Sequence, residues 1–145
     1  MKVVFLFVDG LGIGKRDPVL NPCCFDETGI FQNFQNEDRK LAPLDGIVLG
    51  LDATMGVEGL PQSASGQTAL LTGVNTAQLI GRHLSGFPNQ PLREALLNHS
   101  LLLRLKNLRK LPAFLNAFRP LFFELSEDQI KRLSATTVAN YAAGL

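Results

Sequence analysis

The sequence predicts an α/β fold, in which a mainly parallel sheet is flanked by helices, with all 145 residues in a single domain over 1–145. Segments with strand character alternate with segments of helical periodicity, an order of elements that is typical of parallel α/β proteins. The first segment, "KVVFLFV" at 2–8, is β-branched and aromatic almost throughout, as in a strand buried on both faces. With 46% apolar residues the chain can bury one sizeable core.

Two later segments are also predicted as strands. "DGIVLGLDA" (45–53) runs into a loop, and "PAFLNAF" (112–118) follows a helix. Residues 10–40 are rich in Gly, Pro, Asn and charge and predict a long loop, of a kind that is usually functional or mobile. The chain reaches Leu145 without a closing strand, so the predicted sheet is incomplete at the C-terminus. Its open edge is a candidate surface for homo-oligomer formation.

Helical patterns fill most of the second half of the chain. They begin near Gln67 and continue over 91–100, 100–110, 126–133 and 134–145. Pro91 suits a first helical turn. Ser126 is followed at once by two acidic residues, which is typical of a helix start because both the cap and the charges favour the N-terminus.

Composition excludes several partner classes. The net charge of +1 gives no electrostatic basis for binding nucleic acid or an anionic membrane. The longest apolar run, "VVFLFV", is too short to span a bilayer and lacks the flanks of a signal peptide. Cys23 and Cys24 are adjacent, a poor geometry for a mutual disulfide and no metal-ligand spacing. We therefore expect a reduced, cytoplasmic location.

The glycine-rich stretch "VDGLGIGKRDP" at 8–18 does not fit a dinucleotide site. Its third glycine comes one residue early for G-x-G-x-x-G. The pattern also needs a helix directly after the glycines, and the prolines that follow Gly14 make such a helix unfavourable. Asp9 suggests another role, because a carboxylate at the end of a buried strand is held rigidly where ligands bind and suits a hard divalent cation. The alternative is that Asp9-Gly10 simply forms a turn.

The stretch "PQSASGQTALLTG" at 61–73 raises the question of a nucleophile. A helix that begins near 63–66 directs free N–H groups and its positive dipole end at an anion. A serine at that turn could attack phosphorus, although it needs a base or a metal to become reactive. The alternative is an ordinary helix-capping cluster.

Together the two motifs resemble those of the alkaline phosphatase superfamily, which includes phosphatases, sulfatases, nucleotide pyrophosphatases and cofactor-independent phosphoglycerate mutases. Residues 9–12, "DGLG", match the D-G-x-G at the end of that family's first strand, whose Asp is a metal ligand. Thr72-Gly73 follows Ser63 by nine and ten residues, as a small pair often follows the family's nucleophile. The resemblance implies that Ser63 is both nucleophile and metal ligand, and that Asp9 binds metal.

The residues around Ser63 favour the phosphoglycerate mutase-like branch. Sulfatases need Pro and Arg where this chain has Ser65 and Gln67. The mutase pattern has Asn before its serine and Gly three residues after it, and Gln62 and Gly66 hold these places. The resemblance therefore implies that Gln62 and Gly66 contact the phosphate of the substrate.

"LIGRHLSGFP" at 79–88 resembles the loop that follows the family's nucleophile helix. By this resemblance His83 contacts substrate, the alternative being a hydrogen-bonded histidine with no functional role. The family binds two divalent ions through further Asp and His residues, whereas this chain has two His in all and no Asp-His pair. We therefore expect 1–145 to be the N-terminal portion of a longer metalloenzyme that holds two Mn, Zn or Mg ions. A degenerate, metal-poor relative is the alternative.

These observations predict a metal-dependent phosphatase or phosphomutase that acts on a small phosphorylated substrate through Ser63. The 145-residue chain alone is expected to be inactive. Two other hypotheses stay open at this point. One is a Ser-His hydrolase with His83 as base, although no G-x-S-x-G elbow surrounds Ser63. The other is a non-catalytic α/β binding module.

Overall fold

Helices are the regular elements of the computed structural model, which describes residues 2–38 and 46–145. These residues belong to two compact units, 1–51 and 52–145. The first unit holds a 3₁₀ helix at Pro22–Phe25. The second holds a 3₁₀ helix at Pro120–Glu124 and six α-helices: α1 (Ser63–Thr72), α2 (Thr76–Ile80), α3 (Gln90–His99), α4 (Leu101–Asn107), α5 (Glu127–Ile130) and α6 (Ala135–Ala142).

The predicted α/β fold with a parallel sheet is wrong, since the described residues contain no β-strand. Residues 2–8, 46–51 and 112–118 have no regular structure and form no backbone hydrogen bond with another described segment. Most of their apolar side chains are exposed, Val4 by 90% and Leu115 by 91%, whereas Phe114 and Phe118 are half-buried. Apolar and β-branched residues form a strand only where a neighbouring strand supplies a hydrogen-bonded ladder, and no described segment supplies one here.

The loss of the sheet also removes two dependent expectations. The described residues form no sheet, so they have no open sheet edge. The edge predicted as a surface for homo-oligomer formation is therefore not present in them, and any homo-oligomer would need another surface. Residue 45 of the predicted second strand and residues 39 and 40 of the predicted loop lie outside the described ranges.

The four helices predicted after residue 90 are confirmed, with shifted or shorter bounds, whereas α1 begins at Ser63, four residues before the Gln67 at which the helical pattern predicts its start. Ser126 accepts the Gln129 N–H, and the Gln129 side chain accepts the Ser126 N–H, so the two form a capping box. Pro91 lies in the first turn of α3. The other side-chain N-caps of α-helices are Asn75, Asn89, Ser100 and Ser134.

The core of the second unit lies where α1, α3 and α6 pack against one another. Leu96 of α3 and Val138 of α6 are completely buried there, and Leu71 of α1 is nearly so. Ala135 and Ala139 face the same cluster, and their small side chains let α6 approach its neighbours closely. This packing fixes the position of α1, the helix that begins at Ser63.

In the first unit the chain folds back around Phe34, which is completely buried. The guanidinium of Arg16 lies 4.1 Å from the centre of the Phe34 ring and donates two hydrogen bonds, of 2.9 and 2.8 Å, to the Glu37 carboxylate. The Gln35 N–H donates to the Gly14 carbonyl at 2.8 Å. These contacts join residues 14–16 to residues 34–37.

The Arg16–Glu37 pair is expected to make the order of this loop depend on pH. The hydrogen bond from Arg16 lowers the pKa of Glu37 below its ordinary value. The pair is therefore complete above the unfolded-state pKa and is lost as the pH falls through the folded-state pKa. We expect hydrogen exchange at the Gln35 amide, corrected for intrinsic rate, to accelerate as the pH falls below the ordinary pKa range of a glutamate. Glu37→Gln should abolish this acid-dependent step, and an unchanged step in that variant would contradict the assignment.

None of the helices in the two described ranges combines the length and the apolar character that crossing a bilayer requires.

Candidate functional site

Ser63 is the first residue of α1 and is half-buried. Gln62 before it is extended, with φ −130° and ψ 153°, so the chain turns into the helix at Ser63 itself. Ser63 Oγ accepts a hydrogen bond from the Gly86 N–H at 3.2 Å. A serine hydroxyl has one proton and two lone pairs, so this contact leaves the proton and one lone pair for a ligand.

The neighbouring hydroxyls of α1 are buried and form hydrogen bonds with backbone groups of the fold. Ser65 is completely buried, donates to the Gln62 carbonyl at 3.3 Å and accepts the Leu84 N–H at 3.1 Å. Thr68 is also completely buried and donates to the Ala64 carbonyl at 2.7 Å. Thr72 is 4% exposed and donates in the same way to the carbonyl of Thr68. Of the hydroxyls in 61–73, Ser63 alone combines partial exposure with free hydrogen-bonding capacity.

Three amides at the start of α1, those of Ala64, Ser65 and Gly66, are already hydrogen-bonded, contrary to the expectation of a fully open helix end. The Ala64 and Ser65 N–H groups both donate to the Leu84 carbonyl, at 3.0 and 3.2 Å. The Gly66 N–H donates to the Gln62 carbonyl at 2.8 Å. Buried N–H groups at a helix start need an acceptor, and here a backbone carbonyl from the loop after α2 supplies it. The helix dipole still favours negative charge at this end.

Gln62 and Gly66 lie beside Ser63, as their positions in the sequence require. The Gln62 side chain makes no capping hydrogen bond and is half-buried. A Cβ added to Gly66 would meet no heavy atom within 4 Å, so open space lies next to this residue. Their assignment as phosphate contacts stays a prediction.

His83 is tied to the turn that precedes α1. Its Nε2 lies 3.1 Å from the Val57 carbonyl, and because a carbonyl only accepts, Nε2 carries the proton in this bond. Nδ1 is buried without a hydrogen-bond partner among the described residues. The observed partner of Ser63 Oγ is the Gly86 amide and not this imidazole. The geometry therefore gives no support to His83 as the base of a Ser-His hydrolase.

Asp52, which lies before this region in the sequence, stabilises a turn. Asp52 Oδ1 accepts the Thr54 N–H at 2.9 Å and the Thr54 hydroxyl at 2.6 Å. The bond from the Thr54 hydroxyl and, to a smaller extent, the bond from the Thr54 N–H lower the pKa of the Asp52 carboxyl and favour its ionised form. Asn75 donates from its side chain to the Met55 carbonyl at 2.9 Å, which fastens the same turn to the start of α2.

Asp9 lies in the other unit, in a turn where Gly10 has φ +73°. The Asp9 side chain is exposed, and a Cβ added to Gly10 or Gly12 would meet nothing within 4 Å. This geometry agrees with the alternative interpretation of Asp9-Gly10 as a turn, while metal binding by Asp9 stays a prediction. Residues 2–38 and 46–145 contain no group of three or more His, Cys, Asp or Glu side chains placed to hold a metal ion.

Sequence reasoning missed the contribution of the loop after α2. Leu84 acts through its backbone N–H and carbonyl, and Gly86 through its N–H. The letters "LSGFP" do indicate a turn, because Gly and Pro interrupt regular structure. They do not indicate which helix end the turn covers, since any residue type carries the same backbone groups.

Comparison of the chain with protein-family models, with curated proteins and with solved structures gives no match. The relation to the alkaline phosphatase superfamily therefore depends on residues 9–12, 61–73 and 79–88 and stays a prediction.

Buried Ser65 provides a test of how the site is built. Ser65→Ala should lower the free energy of unfolding by about 1 to 3 kcal/mol, because it removes the acceptor of the Leu84 N–H. Urea denaturation measures this loss, and Ser85→Ala, at an exposed position of the same loop, is the matched control. Equal stability of the two variants would show that the Ser65–Leu84 contact contributes nothing.

Proposed function

We propose that this chain supplies the nucleophile of a metal-dependent phosphoryl-transfer enzyme, a phosphatase or phosphomutase that acts on a small phosphorylated substrate. The observation that supports the proposal is that, of the hydroxyls in 61–73, only that of Ser63 is both partly exposed and free to bind a ligand. Ser63 stands at the positive end of α1 with hydrogen-bonding capacity to spare, whereas Ser65 and Thr68 are buried and bonded within the fold. This selection agrees with the serine that the family resemblance implies.

The proposed chemistry is a displacement at phosphorus. Ser63 Oγ gives its proton to water and forms the new O–P bond, while the ester oxygen of the substrate leaves with the bonding electrons and takes a proton from water. The phosphoryl group then passes from Ser63 to water in a phosphatase, or to a second hydroxyl in a phosphomutase. The positive end of α1 favours the charge that collects around phosphorus.

The neighbours of Ser63 have supporting roles in this proposal. The Gln62 side chain, which makes no capping bond, donates its amide N–H to a phosphate oxygen. The open space beside Gly66 admits the transferred group. Divalent ions, if bound, would lower the pKa of the Ser63 hydroxyl and would neutralise charge on the phosphoryl oxygens. Asp9 is the residue of this chain proposed as a ligand, and the described residues alone do not form a complete metal site.

The experiment is a chromogenic phosphomonoester assay on the natural protein that contains these residues. Turnover that requires Mn, Zn or Mg and disappears with a chelator supports metal-dependent phosphoryl transfer. Ester hydrolysis that resists the chelator supports a metal-independent hydrolase instead. Absence of turnover in a folded, metal-supplemented protein supports a binding module.

The 145-residue chain alone is expected to bind divalent ions weakly and to show no turnover. A single carboxylate cannot fill the coordination sphere of such an ion, which usually takes about four to six ligands. Without activation, Ser63 remains a neutral alcohol near neutral pH and attacks phosphorus negligibly. Calorimetric titration with Zn or Mn beside the same assay tests this. Tight stoichiometric binding together with chelator-sensitive turnover would contradict the proposal that further ligands are needed.

A further inference from the structure

The loop of residues 81–86, between α2 and α3, is fastened to the start of α1 through its backbone. The Leu84 carbonyl accepts two amides of α1, those of Ala64 and Ser65, and the Leu84 N–H donates to Ser65 Oγ. At its other side, His83 bonds to the Val57 carbonyl of the preceding turn. Contacts to two separate segments hold this loop in place before any ligand is bound.

Gly86 continues from this fixed point and directs its N–H at Ser63 Oγ. Its φ of +76° lies in the left-handed region, which side chains other than glycine rarely adopt. A Cβ on Gly86 would meet nothing within 4 Å, so the backbone conformation, and not space, is the reason for a glycine here. A residue other than glycine would therefore be strained at this position.

We propose that the backbone amide of Gly86 is the positioning group of the Ser63 nucleophile, holding Oγ in one rotamer and stabilising the oxygen once its proton has left. The inference rests on the proposed function for what Oγ attacks. The amides of Ala64 and Ser65 cannot donate to Ser63 Oγ, because both already donate to the Leu84 carbonyl. The inference therefore assigns the donor of this hydrogen bond to the loop after α2.

The physical basis is the difference between a neutral and a charged acceptor. An N–H bond to a neutral hydroxyl is modest, whereas the same donor bonds an anionic oxygen about twice as strongly. A fixed amide therefore stabilises the deprotonated form of Ser63 more than the protonated form. Because the loop is already in place, no further ordering is required when the charge develops.

The test replaces the hydroxyl by a group whose deprotonation can be measured. Ser63→Cys is introduced in a Cys23→Ser, Cys24→Ser background of this chain, and the thiol pKa is obtained from the pH dependence of its alkylation by iodoacetamide. Gln62→Cys places a thiol at the same helix end without the Gly86 amide, and Ser85→Cys places one at an exposed position of the same loop. These two variants are the matched controls.

We expect the thiol of Ser63→Cys to have a pKa about one unit below that of Gln62→Cys, and further below that of Ser85→Cys. A value equal to or above that of Gln62→Cys would overturn the inference, because the helix end alone would then account for the environment. The readout does not depend on turnover. An inactive complete protein with a lowered thiol pKa therefore contradicts the proposed function alone, and the reverse result contradicts the positioning role alone.

Amide hydrogen exchange supplies a second readout that needs no thiol. In Ser63→Ala the Gly86 amide loses its acceptor and should exchange about fivefold faster than in the parent chain. The Gly81 amide, which bonds to the Gln78 carbonyl and not to Ser63, should be unchanged. Equal Gly86 exchange in both proteins would overturn the inference even if the cysteine variant failed to fold.

Discussion

Replacing Ser63 by alanine is expected to abolish phosphoester turnover in the natural protein that contains this chain, while folding and metal binding by the remaining ligands persist. The hydroxyl forms the bond to phosphorus in the proposed reaction, so no residual route should remain. Its contribution to stability is small, about 1 kcal/mol, because it accepts one hydrogen bond from an exposed loop residue. The chromogenic assay and a urea denaturation curve measure the two effects separately.

Ser85→Ala is the activity control, since that hydroxyl is exposed in the neighbouring loop. It should retain full turnover. Ser65→Ala should retain much of the turnover despite its lower stability, because its hydroxyl bonds the loop and not the substrate. Full activity in Ser63→Ala, or complete loss in Ser65→Ala at a temperature where the variant is folded, would show that the wrong hydroxyl has been assigned.

Replacing Leu96 by alanine should lower the free energy of unfolding of the second unit by about 2 to 5 kcal/mol. Leu96 is completely buried in α3 and belongs to the cluster where α1 and α6 meet it, so truncation removes apolar burial and leaves a cavity. The loss should appear as a lower midpoint in urea denaturation with an unchanged slope.

Leu79→Ala is the matched control for that measurement, because Leu79 of α2 is 52% exposed. Its truncation should change stability by less than about 0.5 kcal/mol. A similar small loss for Leu96→Ala would contradict the packing of α3 against α1 and α6.

The helix starts could be predicted because their signals are local. Ser126 and Ser134 satisfy N–H groups only three residues away, so the residues that fix each helix start lie next to one another in the sequence. Strands have no such local signal of pairing. Residues 2–8 carry the composition of a buried strand, yet Val4 and Leu6 are more than four-fifths exposed, because pairing depends on a distant partner that composition does not reveal.

In the candidate site, too, the features with local sequence signals could be predicted, and those that depend on distant segments could not. The start of α1 at Ser63 and its end before Gly73, which has φ +74°, agree with the sequence pattern of small and hydroxyl residues followed by glycine. The closure of that helix end by Leu84 and the contact from Gly86 could not be predicted. Both depend on backbone groups that every residue possesses, brought there by the course of the chain through α2.

The most direct test of the central claim, that Ser63 receives the phosphoryl group, is to trap the enzyme during turnover. The natural protein that contains this chain is incubated with a phosphomonoester and its divalent ion, quenched in acid and digested, and its peptides are sequenced by mass spectrometry. We predict one added phosphoryl group, on Ser63, that is absent when chelator is present and absent in Ser63→Ala. A phosphoryl group on Ser65 or Thr68, or chelator-sensitive turnover that persists in Ser63→Ala, would contradict the account.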